Sequence, residues 1–210
     1  MTVLYYSPGA ASLLVHWMLI ELGIEHELRR VDLQAREQKQ ADYLALNPAG
    51  VVPTLVADGR PMTEAAAIAL WLAEQYPAGA LVPRSDTPGR AACLQWMFHL
   101  ANMVQPLFRL WWYPHEGAGE AHASAAREAV RPRIEAAWER IDAHLAENGP
   151  WLLGDTISVA DFYLAMLMRW SRNMPRPAHE WPALGALAAR IKARPSFTEL
   201  YRREGLEEWA

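Results

Sequence analysis

The sequence predicts an α/β unit built on a small mixed sheet, followed by an all-helical unit, and three observations carry that reading. Strand-like runs occur only before Gly89, the pair Asp58-Gly59 separates two of them as a hairpin turn, and from Gly89 onward apolar residues recur at helical intervals alone.

The elements follow in order. Residues 3–6, Val-Leu-Tyr-Tyr, form a short strand that stops at Ser7-Pro8-Gly9, and residues 11–22 have helical composition and end at Gly23. Residues 26–33 are a second strand, and a weaker helical segment lies near 38–46. Residues 51–57 and 60–62 pair around Asp58-Gly59, which suits positive φ. Thr63 then caps a helix that runs to about Tyr76 and is stopped by Pro77 and Gly79. The order βαβ, short helix, ββα makes one domain of residues 1–78, and residues 79–88 have linker composition. The second domain, residues 89–210, should hold helices at 89–113, 121–148, 158–172, 183–194 and 196–204. Within it, Ser158-Val159-Ala160-Asp161 reads as a capping box, with Ile157 and Phe162 as its hydrophobic staple, and its role is structural.

Composition narrows the function classes. The chain has 210 residues, of which 52% are apolar and 21% charged, so a sizeable core is available to one or two domains. A net charge of -4, with Arg202-Arg203 set beside glutamates, offers no face able to neutralise a phosphate backbone, so nucleic acid is not an expected partner. No apolar stretch approaches the roughly 20 residues of a membrane span, and Met1-Thr2-Val3 runs into the first strand without a charged leader, so no membrane partner and a cytoplasmic location are expected. The single cysteine, Cys93, excludes an internal disulfide and fits a reducing compartment. Set among Ala91, Ala92, Leu94 and Trp96 at helical spacing, it is expected to be a buried structural thiol. No histidine, cysteine or carboxylate set has metal-ligand spacing, so no metal is expected.

Two segments carry chemistry. In Asn47-Pro48-Ala49-Gly50-Val51-Val52-Pro53-Thr54-Leu55, a proline interrupts strand residues, which is unfavourable inside a sheet. A cis Val52-Pro53 bond would leave the backbone of Val52 open to an extended peptide ligand; a trans bond on an edge strand is the alternative. Thr63-Glu64-Ala65 opens the helix after the hairpin, where free amides and the helix dipole form a carboxylate site, although Glu64 is equally explained as an acid in a first turn.

Taken together, Tyr6-x-Pro8-Gly9-Ala10-x-Ser12, Asn47-Pro48-x-Gly50-x-Val52-Pro53-x-Leu55, Thr63-Glu64 and Ser158-x-x-Asp161 resemble the cytosolic glutathione transferases, closest to the bacterial beta class, over essentially the whole chain. The resemblance implies a thioredoxin-like first domain that holds glutathione along a cis-proline edge and a helical domain that forms the wall for an apolar second substrate. By the same resemblance, Val52 beside Pro53 pairs with the cysteinyl backbone, Glu64 and the Ala65 amide take the γ-glutamyl end, and Arg36 or Lys39 meets the glycyl carboxylate. Beta-class members carry a cysteine where this chain has Ala11 and a histidine where it has Gln105, so both hallmark contacts are replaced.

With that cysteine gone, Ser12 at the helix start becomes the expected donor to a glutathione thiolate, with Tyr6 as its rival. Met103, Phe108, Trp111, Trp112 and Tyr113 fall where the family's apolar pocket lies, although most such aromatics are simply core. A cytoplasmic homodimer engaged in detoxification is implied, with glutathione as co-substrate and a small hydrophobic electrophile as its partner. A non-catalytic carrier of glutathione or hydrophobic ligands is the alternative, as is a glutathione-dependent lyase, dehalogenase, isomerase or peroxidase.

Overall fold

Strand β1 (Thr2–Tyr6) is an inner strand of a four-stranded mixed sheet. After it come α1 (Ser12–Glu21), β2 (Glu27–Arg30), α2 (Ala41–Leu46), β3 (Thr54–Ala57), β4 (Arg60–Met62) and α3 (Ala65–Gln75), giving the spatial order β2-β1-β3-β4. Then follow α4 (Gly89–His99), α5 (Gln105–Trp112), α6 (His115–Ala118), α7 (Ala123–Asn148), α8 (Val159–Trp170), α9 (Pro182–Lys192) and α10 (Pro195–Glu204). The computed structural model describes residues 1–209.

The chain forms two units, one of residues 1–82 with 192–208 and one of residues 83–191 with Trp209. The helical stretch expected to run over 89–210 is therefore divided, because α10 packs on α1 within the sheet unit.

Local chemistry explains the element ends. Helix α1 closes with Gly23 at φ 66, where the Gly23 amide donates to the Ile20 carbonyl and the Ile24 amide to that of Leu19, the pattern that fills the last carbonyls of a helix. Asp58 and Gly59 have φ 49 and 77, the pair of positive values that a two-residue hairpin turn between β3 and β4 needs. Strand β3 begins only at Thr54, so residues 51–53 lie outside the sheet that the sequence placed them in. Thr63 does not cap α3: Glu64 stands at that position with φ 69 and ψ 105, and no side chain caps the helix.

Register sets up one end of the sheet. β1 runs antiparallel to β3 with Tyr5 opposite Thr54, and β3 runs antiparallel to β4 with Leu55 opposite Met62. The turn after β1, the segment before β3 and the start of α3 therefore all leave the sheet at the same end.

In the helical unit, α4 passes into α5 through a π-helical turn, Leu100–Val104, where the sequence predicts one continuous helix. Helix α8 is buried from Val159 to Arg169 and opens on the expected box: the Asp161 carboxylate accepts from the amides of Leu152 (2.8 Å) and Ser158 (2.7 Å) and from the Ser158 hydroxyl (3.0 Å). Cys93 is buried in α4. Among the described residues no helix is long and apolar enough to cross a membrane.

Candidate active site

The segment 47–53 is held from below by its own neighbours. The Val51 carbonyl accepts from the Tyr43 hydroxyl (2.7 Å) and from the Asn47 side-chain amide (2.8 Å), and the Thr54 hydroxyl lies 2.9 Å from the same Tyr43 oxygen. Gly50, at φ 60, passes so close to residues 38 and 39 that an added Cβ would sit 2.8 Å from the Gln38 carbonyl oxygen and the Lys39 ammonium, so only glycine fits. Val52-Pro53 is cis, and among the described residues the Val52 amide and carbonyl have no partner. That leaves one donor and one acceptor on the same residue, the pair an extended peptide uses to add itself to a chain.

The start of α3 offers a second set of free groups. The first intrahelical bond is Ile68 N–H to the Glu64 carbonyl at 2.9 Å, and the amides of Ala65, Ala66 and Ala67 before it have no partner among the described residues. Glu64 itself is exposed and holds a conformation rarely taken by residues with a Cβ, a form of strain that marks functional positions.

The third part is the turn after β1. Pro8 and Gly9 occupy its centre, with Gly9 at φ 69 and the Ala10 amide donating to the Ser7 carbonyl at 3.1 Å, which is the geometry of a type II turn. Ser12, expected to donate to sulfur, lies at the end of this turn. Its side chain is fully buried and its hydroxyl donates to the Ser7 carbonyl (3.1 Å) while accepting the Ser7 amide (3.1 Å), so its one proton is already engaged in closing the turn. The amides of Ala11 and Ser12 remain without partners among the described residues, and they sit at the positive end of α1.

Tyr6, the rival donor, packs its ring 5.8 Å from that of His16. Burial raises its pKa, the Glu204 carboxylate adds to the rise, and Arg30 works against it, so the phenol stays protonated at neutral pH and keeps a proton to donate. Tyr5, expected in the core, is half-buried and meets Tyr43 edge-on at 5.8 Å.

The remaining sites divide by exposure and partners. Lys39 donates to the Ala49 carbonyl at 3.2 Å and so braces the segment 47–53, whereas Arg36 is exposed without a partner among the described residues. In the helical unit, the Gln105 amide oxygen accepts from the Tyr163 hydroxyl. Phe108, expected at the apolar pocket, is 1% exposed and packs its ring against those of Trp138 and Trp170. Trp111 is also buried, with the Arg127 guanidinium 5.8 Å from its ring. Met103 and Tyr113 are exposed, and half-buried Trp112 carries Arg172 over its ring at 5.3 Å. Among the described residues no group of three or more His, Cys, Asp or Glu is placed to hold a metal ion.

Sequence reasoning missed Tyr43, His16 and Glu204, and saw Asn47 only as part of a motif. Asn47 is buried at 2% exposure, and its side chain meets the need of a buried amide for partners by donating to the Val51 carbonyl and accepting the Ala49 amide.

The description of the glutathione S-transferase N-terminal domain matches residues 11–75, and that of the C-terminal domain matches residues 124–203. The chain is 35% identical over 207 residues to glutathione S-transferase GST-4.5 of Xanthomonas campestris pv. campestris, covering 97% of this chain and 98% of that one. Among solved structures, the ternary complex of BphK, a bacterial glutathione S-transferase, has a TM-score of 0.87 at 36% identity and covers 97% of this chain and 100% of its own. A sphingomonad glutathione S-transferase complexed with glutathione has a TM-score of 0.85 at 33% identity, covering 98% and 100%. With both domains matched in order and similarity spanning nearly the full length, this chain belongs to the glutathione S-transferase family.

Proposed function

We propose that this transferase binds glutathione across the end of the sheet where β1 and β4 finish and β3 begins, and adds its sulfur to a small hydrophobic electrophile. One observation carries the reading: a backbone donor and acceptor on Val52, unpaired among the described residues, share that end with two helix starts whose first amides are likewise unpaired. The sphingomonad relative complexed with glutathione supports the choice of ligand. The cysteinyl unit pairs with Val52, the γ-glutamyl carboxylate takes the amides of Ala65 and Ala66, and Glu64 receives the ammonium group beside it. Arg36, whose guanidinium has no partner among the described residues, suits the glycyl carboxylate better than Lys39, which is tied to Ala49.

The sulfur then faces the start of α1, where the amides of Ala11 and Ser12 and the helix dipole lower the thiol pKa from its ordinary value near ~8.5. The thiolate attacks an electrophilic carbon and forms the C–S bond. The electron pair of the bond it displaces leaves with the departing group, or passes into an acceptor that then takes a proton from water. No side-chain base is needed once the thiolate is the resting form.

This donor set predicts how two substitutions differ. Ser12→Ala opens the turn and should lower stability by about 1–3 kcal/mol, with kcat falling no more than about tenfold, while Tyr6→Phe changes kcat by less than about fivefold. A side-chain donor to the anion would instead cost about 10²- to 10³-fold. The check is the ultraviolet absorbance of bound thiolate together with steady-state conjugation of an aromatic electrophile. A loss of that larger size in Ser12→Ala at unchanged melting temperature would return the role to the serine. A wild type that binds glutathione without ionising it would leave the carrier reading.

The protein is further proposed to be a cytoplasmic homodimer that detoxifies electrophiles. Its one cysteine suits a reducing compartment, and Phe98 and Met103 expose 62% and 60% of their surface on helical segments that a second copy would cover. Sedimentation at micromolar concentration is expected to show twice the 23.7 kDa chain mass, and a lone monomer peak would refute the dimer.

A further inference from the structure

Glu204 ends α10, and its carboxylate reaches the turn after β1 from 195 positions away in sequence. One oxygen accepts the Gly9 amide at 2.8 Å and the other lies 2.8 Å from His16 Nδ1, with both side chains fully buried. A carboxylate removed from water to this degree is tolerated only when its oxygens are filled, so the pair specifies one arrangement of turn and helix. The other end of α10 is tied to the same helix: the Trp17 indole donates to the Ser196 hydroxyl at 2.9 Å, and Arg194 and Ser196 both bond Glu21. Two antiparallel helices are thus stapled at both ends, and the staple at Glu204 ends on the backbone of the turn.

We propose that Glu204 is a positioning residue for the transfer reaction. By holding the Gly9 amide, it sets the turn from which the Ala11 and Ser12 amides meet the sulfur. This rests on the reading that glutathione is bound as a thiolate at the start of α1. A group of this kind acts through geometry, and misplacing donors by a fraction of an ångström costs turnover without costing the remote contacts that hold the peptide.

Charge and position predict opposite signs, which makes the role separable. Glu204 faces Tyr6 of β1 and His16 of α1, and the next charged and titratable groups are Arg30 of β2 beside Tyr6, His26 of the loop before β2 beside His16, and Arg203 of α10. Removing one negative charge from this neighbourhood would by itself lower the pKa of a nearby thiol. Loosening the amides would raise it.

The test compares Glu204→Ala, Glu204→Asp and Glu204→Gln, reading the thiolate absorbance of bound glutathione against pH, kcat and KM for conjugation, and the melting temperature. Glu204→Ala should raise the apparent pKa of the bound thiol by about one unit and lower kcat about tenfold, with KM for glutathione within about threefold. Glu204→Gln, which keeps an oxygen for the Gly9 amide but removes the charge, should leave the thiol pKa at or below its wild-type value and restore kcat to within about threefold. Should Glu204→Ala fail to fold, Glu204→Asp keeps the charge but shortens the reach and should still raise the thiol pKa. A thiol pKa that stays put or falls in Ala and Asp variants that have lost only thermal stability would overturn the positioning role. A wild type without a thiolate signal would instead overturn the underlying reading of the site.

Discussion

Asp161→Ala is expected to lower the unfolding free energy by about 3–5 kcal/mol and so leave little soluble protein at physiological temperature. The carboxylate is fully buried and receives three donors, two of them the backbone amides of Leu152 and Ser158. Deleting it strands those amides away from water at the start of α8, the most deeply buried helix of its unit, so the desolvation cost of each is left uncompensated. The same burial raises the pKa of Asp161 from 3.8 to about 6, against the lowering effect of its hydrogen bonds. Because the folded value lies above the unfolded one, folding favours the protonated acid. That contribution is complete below about pH 4 and is lost as the pH rises through about 6, a decline of roughly 3 kcal/mol. Chemical denaturation of wild type and Asp161→Asn at a series of pH values checks this, since the asparagine variant should lack that decline. An equal pH dependence in both would show that the group does not titrate in this range.

Glu64→Ala is expected to raise KM for glutathione about 10- to 100-fold while kcat stays nearly constant. A hydrogen bond to a charged partner contributes about 1.5–3 kcal/mol, and the γ-glutamyl end is remote from sulfur, so ground state and transition state lose it equally. The backbone at Glu64 supplies a second, independent expectation. Its φ of 69 with ψ of 105 lies where glycine is at ease and other residues are strained by about 1–3 kcal/mol. Glu64→Gly should therefore melt at a higher temperature than Glu64→Ala and bind glutathione as poorly. Calorimetric titration with thermal unfolding reads both quantities. Unchanged affinity in either variant would reduce Glu64 to a residue that merely precedes a helix.

What the sequence determined by itself was local. The Asp58-Gly59 turn, the end of α1 at Gly23 and the box at Ser158-Asp161 each rest on neighbours a few residues apart, where backbone preference and short hydrogen bonds decide the outcome. The spacing of Val52-Pro53 and Glu64 was legible for the same reason, since they flank one hairpin, the first just before β3 and the second just after β4. Tertiary structure decided the rest. Ser12 reads as an available donor in the sequence, and only the folded turn shows its hydroxyl closed onto Ser7. Glu204 carries no signal in a helix that also holds Arg202 and Arg203, because its partners Gly9 and His16 come from the other end of the chain. Phe108 and Tyr113 share one aromatic run, yet one is core and the other exposed. Such assignments depend on which face of a helix meets which neighbour, and that is set by the packing of distant segments, whose free energies no single stretch of sequence contains.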